Sequence, residues 1–238
     1  MIDEIQSHLV SLSNSEDGVF LQRFFKTGPG QYGEGDLFRG IRVPVLRRLS
    51  SAHQNIPLEL AERLLRSAYH EDRLLALLIL VRKYASADDT VRAGIYTLYL
   101  DNTQFINNWD LVDASAEHII GAYLSDKSRE TLYQLARSRS LWERRIAILA
   151  TFHFIKRGIF DETFRLAEIL LTDKEDLIHK AVGWMLREVG KLDMQREEAF
   201  LGAHYRQMPR TMLRYAIEKF PQDKRLSYLK GNCLAVNA

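Results

Sequence analysis

Two tryptophans stand beside charges at helical spacing. Trp109 and Asp113 are four residues apart and share one helix face, while Asp110 sits about 100° around from Trp109. Lys180 and Trp184 are likewise four apart, with Arg187 three further on. Arg144 and Arg145 open a helical run between the two groups. A tryptophan face stacks on a sugar, a base or a cation. A carboxylate between two aromatic rings stabilises a developing positive charge. Each residue also has an ordinary reading: Trp109 and Trp184 as core, Asp110 or Asp113 as a cap beside Trp109. Taken together, with Arg145 between them in the chain, they point to a site.

Other chemistries lack their residues. The seven histidines show no His-Glu-x-x-His spacing, and no serine sits in a Gly-x-Ser-x-Gly elbow. Cys233 is the only cysteine, so no internal disulfide forms. It falls in an expected frayed tail over 230–238, a poor place for a nucleophile. No metal and no cofactor are expected. Asp72, Asp88 and Asp89 read as solvated helix starts. Lys156, Arg157, Arg206 and Arg210 read equally as phosphate contacts or solubility charges.

The elements that must position these residues are helices. Only five prolines and thirteen glycines interrupt the chain, and strand alternation is absent. Periodicity predicts helices over roughly 2–12, 16–26, 44–52, 57–68, 71–85, 88–99, 109–124, 127–138, 141–157, 160–172, 175–190, 194–206, 209–219 and 222–229. Pro44, Pro57 and Pro209 suit first helical positions. A basic residue opens an apolar run at Arg73, Arg145, Lys180 and Arg214, at spacings of 72, 35 and 34. The first gap is twice 36, and its midpoint is Trp109. A two-helix unit of about 35 residues is the period of a helical solenoid. The expected fold is therefore all-α, one repeat domain over 1–238, a right-handed superhelical solenoid of helix pairs with a concave basic groove. One segment falls outside the repeat: Thr27–Asp36, TGPGQYGEGD. Its Gly28-x-Gly30-x-x-Gly33 string matches a dinucleotide fingerprint in form only, because no strand precedes it, and it reads as an ordered inter-helix loop.

The 238 residues carry 33 Lys+Arg against 31 Asp+Glu, and 46% are hydrophobic, which excludes a disordered or fibrous chain. The near-neutral total hides segregation. Residues 1–18 hold four acids and no base, whereas 39–48 hold Arg39, Arg42, Arg47 and Arg48. Residues 203–214 hold Arg206, Arg210 and Arg214 and no acid. Such clusters suit a polyanion if they share a face, and solvated helix faces if they do not. The longest apolar run, Leu74–Val81, is too short to span a membrane. The opening MIDEIQSHLV has acids where a signal peptide carries bases, so a cytoplasmic location is expected.

Four segments carry a family resemblance: FFKTGPGQYGEGDLFRGIRVPVLRRL (24–49), NNWDLVDASAEHIIGAYL (107–124), LWERRIAILATF (141–152) and IHKAVGWMLREVGK (178–191). They resemble the DNA alkylation repair glycosylases built from HEAT-like helical repeats, over roughly residues 10–225. The resemblance implies excision of N-alkylated purines such as 3-methyladenine and 7-methylguanine from double-stranded DNA. It implies a catalytic carboxylate at Asp113, aromatic walls at Trp109 and Trp184, and a phosphate contact at Arg145. The expected DNA-binding set adds Arg144, Lys180, Arg187, Arg210, Arg214, Arg47 and Arg48. It also implies capture of the lesion without deep insertion, and a shallow groove on a solenoid is expected to work as a monomer. Where some members carry a tyrosine, this chain reads Phe24-Phe25. Two other readings compete: a silent relative that binds damaged or branched DNA, and a protein-interaction scaffold.

Overall fold

The computed structural model describes residues 2–232. Among these, every regular element is a helix, and the only β pairing is an isolated parallel bridge between Leu37 and Tyr69. The chain divides into two compact units, Met1–Ile119 and Ile120–Ala238. No helix among the described residues is long and apolar enough to cross a membrane.

The first unit holds α1 (Ile2–Ser11), α2 (Ser15–Phe24), α3 (Val43–Ala52), α4 (Leu58–Leu65), α5 (His70–Ser86), α6 (Asp89–Asp101) and α7 (Trp109–Asp113). Helix α5 is its centre. Leu74 to Leu80 are buried on all sides, and α3, α4, α6 and α7 pack around it. A helix that is apolar all round is a core helix. The 27–36 segment is the ordered loop its composition predicts. It closes on itself through Gly28 N–H to Gln31 Oε1 (3.0 Å), Gly30 N–H to Glu34 Oε2 (2.9 Å) and Gly33 N–H to the Lys26 carbonyl (3.1 Å). Further along, Gly40 has φ +78°, and a Cβ there would lie 2.1 Å from the Asn14 carbonyl oxygen. Only glycine fits that crossing.

The second unit holds α8 (Glu130–Ala136), α9 (Leu141–Ala150), α10 (Phe152–Ile155), α11 (Asp161–Ile169), α12 (Asp176–Leu192), α13 (Met194–His204), α14 (Arg210–Ala216) and α15 (Gln222–Lys230). Helix α12 is the hub here, packed against α9, α11, α13 and α14. Its Gly183 lets α14 approach closely: a Cβ would meet the Met212 carbonyl oxygen at 2.4 Å. Arg145, Lys180 and Arg214 are each the fifth residue of their helices, α9, α12 and α14, whereas Arg73 is the fourth of α5 and Trp109 the first of α7.

The structure departs from the sequence expectations in a few places. The helix expected over 109–124 is broken. Helix α7 ends at Asp113, a π-helical turn follows over Glu117–Gly121, and a 3₁₀ turn over Leu124–Asp126. The Ser115 hydroxyl donates to the Leu111 carbonyl at 2.6 Å, a side-chain bond that competes with the helical ladder. Thr151 splits 141–157 in the same way, its hydroxyl donating to the Ile148 carbonyl at 2.7 Å. Asp72 is not a solvated helix start. It is fully buried and paired with Arg39, Nε to Oδ1 at 2.7 Å. Lys230 closes α15 and Gly231 caps it with φ +75°, so these two residues are not the frayed tail expected from 230 on. Cys233 and the residues after it lie outside the described residues.

Candidate functional site

Helix α7 is a single turn, too short to hold itself by its own hydrogen bonds. Side chains fix it instead. Asn108, its N-cap, accepts the Trp109 N–H at 2.9 Å. Asp110 in the first turn accepts from His70 Nε2 at 2.8 Å, and its other oxygen accepts the Leu111 N–H at 2.9 Å. Beyond the C-terminal end, Ser115 and the buried Tyr99 hydroxyl are 3.0 Å apart. Burial pushes the Tyr99 phenol well up, against the Ser115 bond, and the negative charge of Asp113 adds to it.

This turn carries Trp109 and Asp113, both half-buried. The Trp109 ring stacks on Phe25 at 5.3 Å with 24° between planes, and the exposed Phe24 meets it edge-on at 6.1 Å. Of the two carboxylates on this turn, Asp110 is the one bonded to His70.

Behind α7 lies a buried charged cluster that sequence reasoning did not assemble. Asp36, at the end of the glycine-rich loop, is 5% exposed. It takes an ion pair from Arg73 Nη2 at 2.7 Å and a hydrogen bond from Asn107 Nδ2 at 3.1 Å. Longer approaches of 3.5 Å come from Asn108 Nδ2 and His70 Nδ1. Burial alone would raise the Asp36 carboxyl, but the bond from His70, the Arg73 and His70 charges and the Asn107 bond hold it below the usual range. Burial lowers His70, and the bonds to Asp110 and Asp36 outweigh this and raise it. Its neighbour Glu71 is equally buried and collects the N–H groups of Arg39, Gly40 and Ile41 at 2.8–3.2 Å. A cavity of about 400 Å³ opens nearby, lined by Phe20, Phe25, Phe38, His70 and Asp110 among others, but by neither Trp109 nor Asp113.

In the second unit, Trp184 is half-buried on α12. Its Nε1–H donates to Glu188 Oε1 at 3.0 Å, which fixes the ring rotamer. Phe152 lies against it at 6.0 Å, and the exposed Lys156 sits 4.2 Å over the Phe152 ring. Arg145 is only 5% exposed, and its Nη1 donates to the Leu177 carbonyl at 2.6 Å. The remaining cations differ in setting. Arg144 pairs with Asp173 at 2.6 Å, Lys180 with Asp176 at 2.8 Å, and Arg187 with Glu218. Arg210 donates to the Leu229 carbonyl at 2.7 Å. Arg214 is exposed, as are Arg47 and Arg48 on α3. Among the described residues, no group of three or more His, Cys, Asp or Glu is arranged to hold a metal ion.

Comparison with known proteins gives two findings. The family model described as DNA alkylation repair enzyme matches residues 5–220. Among solved structures, the chain is similar to one described as a predicted DNA alkylation repair enzyme from Enterococcus faecalis. That match has a TM-score of 0.68 at 17% identity, over 88% of this chain and 97% of the other. At that identity it speaks for the fold. No curated protein matches.

Proposed function

The chain belongs to the DNA alkylation repair enzyme family, and from that premise we propose that it is a DNA glycosylase. It hydrolyses the N-glycosidic bond of cationic N-alkylated purines, 3-methyladenine and 7-methylguanine, in double-stranded DNA, the first step of base excision repair. One observation carries this reading: a single anchored turn presents Trp109, its ring backed by Phe25, together with Asp113.

The chemistry suits those groups. Alkylation at N3 or N7 makes the purine cationic and already a good leaving group, so no strong general acid is needed. What remains is to stabilise the oxocarbenium-like sugar as the bond breaks and to position water. Asp113 supplies the negative charge for the first task and orients water for the second. The indole of Trp109 packs on the deoxyribose and its π face favours the cationic transition state. Trp184, its rotamer set by Glu188, supplies a second such face. Arg145 is assigned the backbone phosphate contact that fixes register, its guanidinium oriented by the Leu177 carbonyl. Arg214, Arg47 and Arg48 are exposed and suit further phosphate contacts. Arg144, Lys180, Arg187 and Arg210 would exchange or share their present partners for phosphate. No lysine is assigned as a Schiff-base nucleophile, so strand cleavage is not part of the reaction. Selectivity then rests on the charge and lability of the lesion more than on its shape.

The test is base release from duplex DNA containing 7-methylguanine, with Asp113→Asn in parallel. Asp113→Asn is expected to lose activity by about 100- to 1,000-fold while still binding DNA. A normal rate for this variant would sink the carboxylate mechanism. Release by neither protein, with salt-dependent binding intact, would instead identify a DNA-binding relative.

A further inference from the structure

The cluster behind α7 has a shape that packing alone does not ask for. His70 is the first residue of α5, and its backbone is clamped by the Leu37 carbonyl, which accepts the His70 N–H at 2.8 Å. Its ring packs against both Phe25, 4.9 Å away, and Phe38, 4.6 Å away, which themselves stack at 5.1 Å. Carboxylates face both ring nitrogens: Asp110 at 2.8 Å on Nε2 and Asp36 at 3.5 Å on Nδ1. Ionised carboxylates only accept, so the ring donates to both when protonated. The charged groups facing it are Asp36, Asp110 and Arg73, which with an imidazolium sum to zero. When the ring loses one proton, Asp36 keeps the Arg73 ion pair and the Asn107 donor, whereas among the described residues His70 is the only side chain that bonds Asp110. The proton that remains therefore belongs on Nε2, and the Asp110 bond survives in both protonation states.

His70 also reaches Trp109 by a second route. Phe25 contacts His70 and also stacks on Trp109. The ring thus touches both the first-turn carboxylate of α7 and the platform under its tryptophan. A one-turn helix cannot set its own orientation, and a displacement near 1 Å at a reacting group costs about 100-fold in rate.

We infer that His70 is a positioning residue: its Nε2–H, seated through Asp36 and Arg73, fixes Asp110 and thereby aims Trp109 and Asp113. The effect on excision rests on the glycosylase reading above, whereas the effect on Trp109 does not.

Three variants separate this role from bulk stability. His70→Ala removes the donor. His70→Gln restores an N–H near Asp110 and cannot carry charge. Asp110→Asn weakens the bond from the other side without touching the buried ring. Single-turnover excision, DNA affinity and the ¹⁹F resonance of 5-fluorotryptophan at Trp109 (assigned by Trp109→Phe) are read for each. His70→Ala and Asp110→Asn are expected to lower the excision rate about 10- to 100-fold, with affinity within about 2-fold. Both are expected to shift or broaden the Trp109 resonance, and His70→Gln to restore rate and resonance together. Should His70→Ala fail to fold, Asp110→Asn and His70→Gln decide alone. A wild-type rate and resonance in Asp110→Asn would overturn the inference. So would parallel losses of affinity and rate in all three variants, the pattern of a merely structural group. If the wild type releases no base, the glycosylase reading fails, and an unmoved Trp109 resonance is then what overturns the positioning role.

Discussion

At the scale of single residues, the two tryptophans differ in how their rings are fixed. Trp109 is held by stacking on Phe25, and Trp184 by an indole N–H bond to Glu188. Trp184→Ala should therefore lower excision more than DNA affinity, since the face assigned to the sugar is lost while the phosphate contacts remain. Single-turnover rates compared with binding isotherms check this. A protein that unfolds on this change would return Trp184 to the core. Arg145 presents a double expectation because it is buried and already bonded to a carbonyl. Arg145→Ala should flatten the salt dependence of DNA binding by about one unit of slope, as for one lost phosphate contact. It should also cost roughly 1–3 kcal/mol of stability, because the Leu177 carbonyl loses its charged donor. Denaturant unfolding separates the two effects. An unchanged salt slope would remove Arg145 from the phosphate contacts.

Elements explain which parts could be read ahead of the structure. The amphipathic stripes of α4 and α11 and the apolar run of α5 follow from local spacing, and those helices stand where periodicity puts them. The breaks at Ser115 and Thr151 were not legible, because a hydroxyl bonding back to the helix carbonyl leaves hydrophobic periodicity intact. Nor was the cluster behind α7. Asp36, His70 and Asp110 are separated by 34 and 40 residues, and only the fold brings them together. The one local signal was Asp36 at the end of a glycine-rich segment. Asp72 misled for the same reason, since a carboxylate near a helix start looks solvated until Arg39 arrives from another element. Close approach of elements gives its own prediction. Gly183→Ala would push a methyl into the Met212 carbonyl and the Tyr215 Cβ, and should destabilise the second unit by about 1–3 kcal/mol. Thermal unfolding of the variant checks this, and an unchanged midpoint would mean that α14 yields.

At the scale of the whole molecule, buried ionisable groups set a pH profile of stability. Glu197 on α13 is almost fully buried. Burial first, then the Glu198 charge, pushes its carboxyl up to about 9. Its folded pKa lies above the unfolded value, so stability is full below the unfolded pKa and falls as pH rises toward 9. Glu197→Gln should raise stability at neutral pH by roughly 1–3 kcal/mol and flatten this slope. His70 has the same sign: its folded pKa is raised, so its contribution is present below the unfolded value near 6.5 and fades as pH rises through the folded one. Asp36 has the opposite sign, and its contribution is lost as pH falls through its depressed value. Urea unfolding from acid to mildly alkaline pH should therefore show decline at both ends. A last consequence concerns time, and follows from the shortness of α7. The amides of α5 and α12 sit in helices with deep apolar faces and exchange with deuterium only when their units unfold. Those of the Trp109–Asp113 turn have no such ladder, so their exchange clock is set by Asn108, His70 and Ser115. The turn that carries Asp113 is thus expected to open more often than α5 or α12, on a schedule written by side chains outside it.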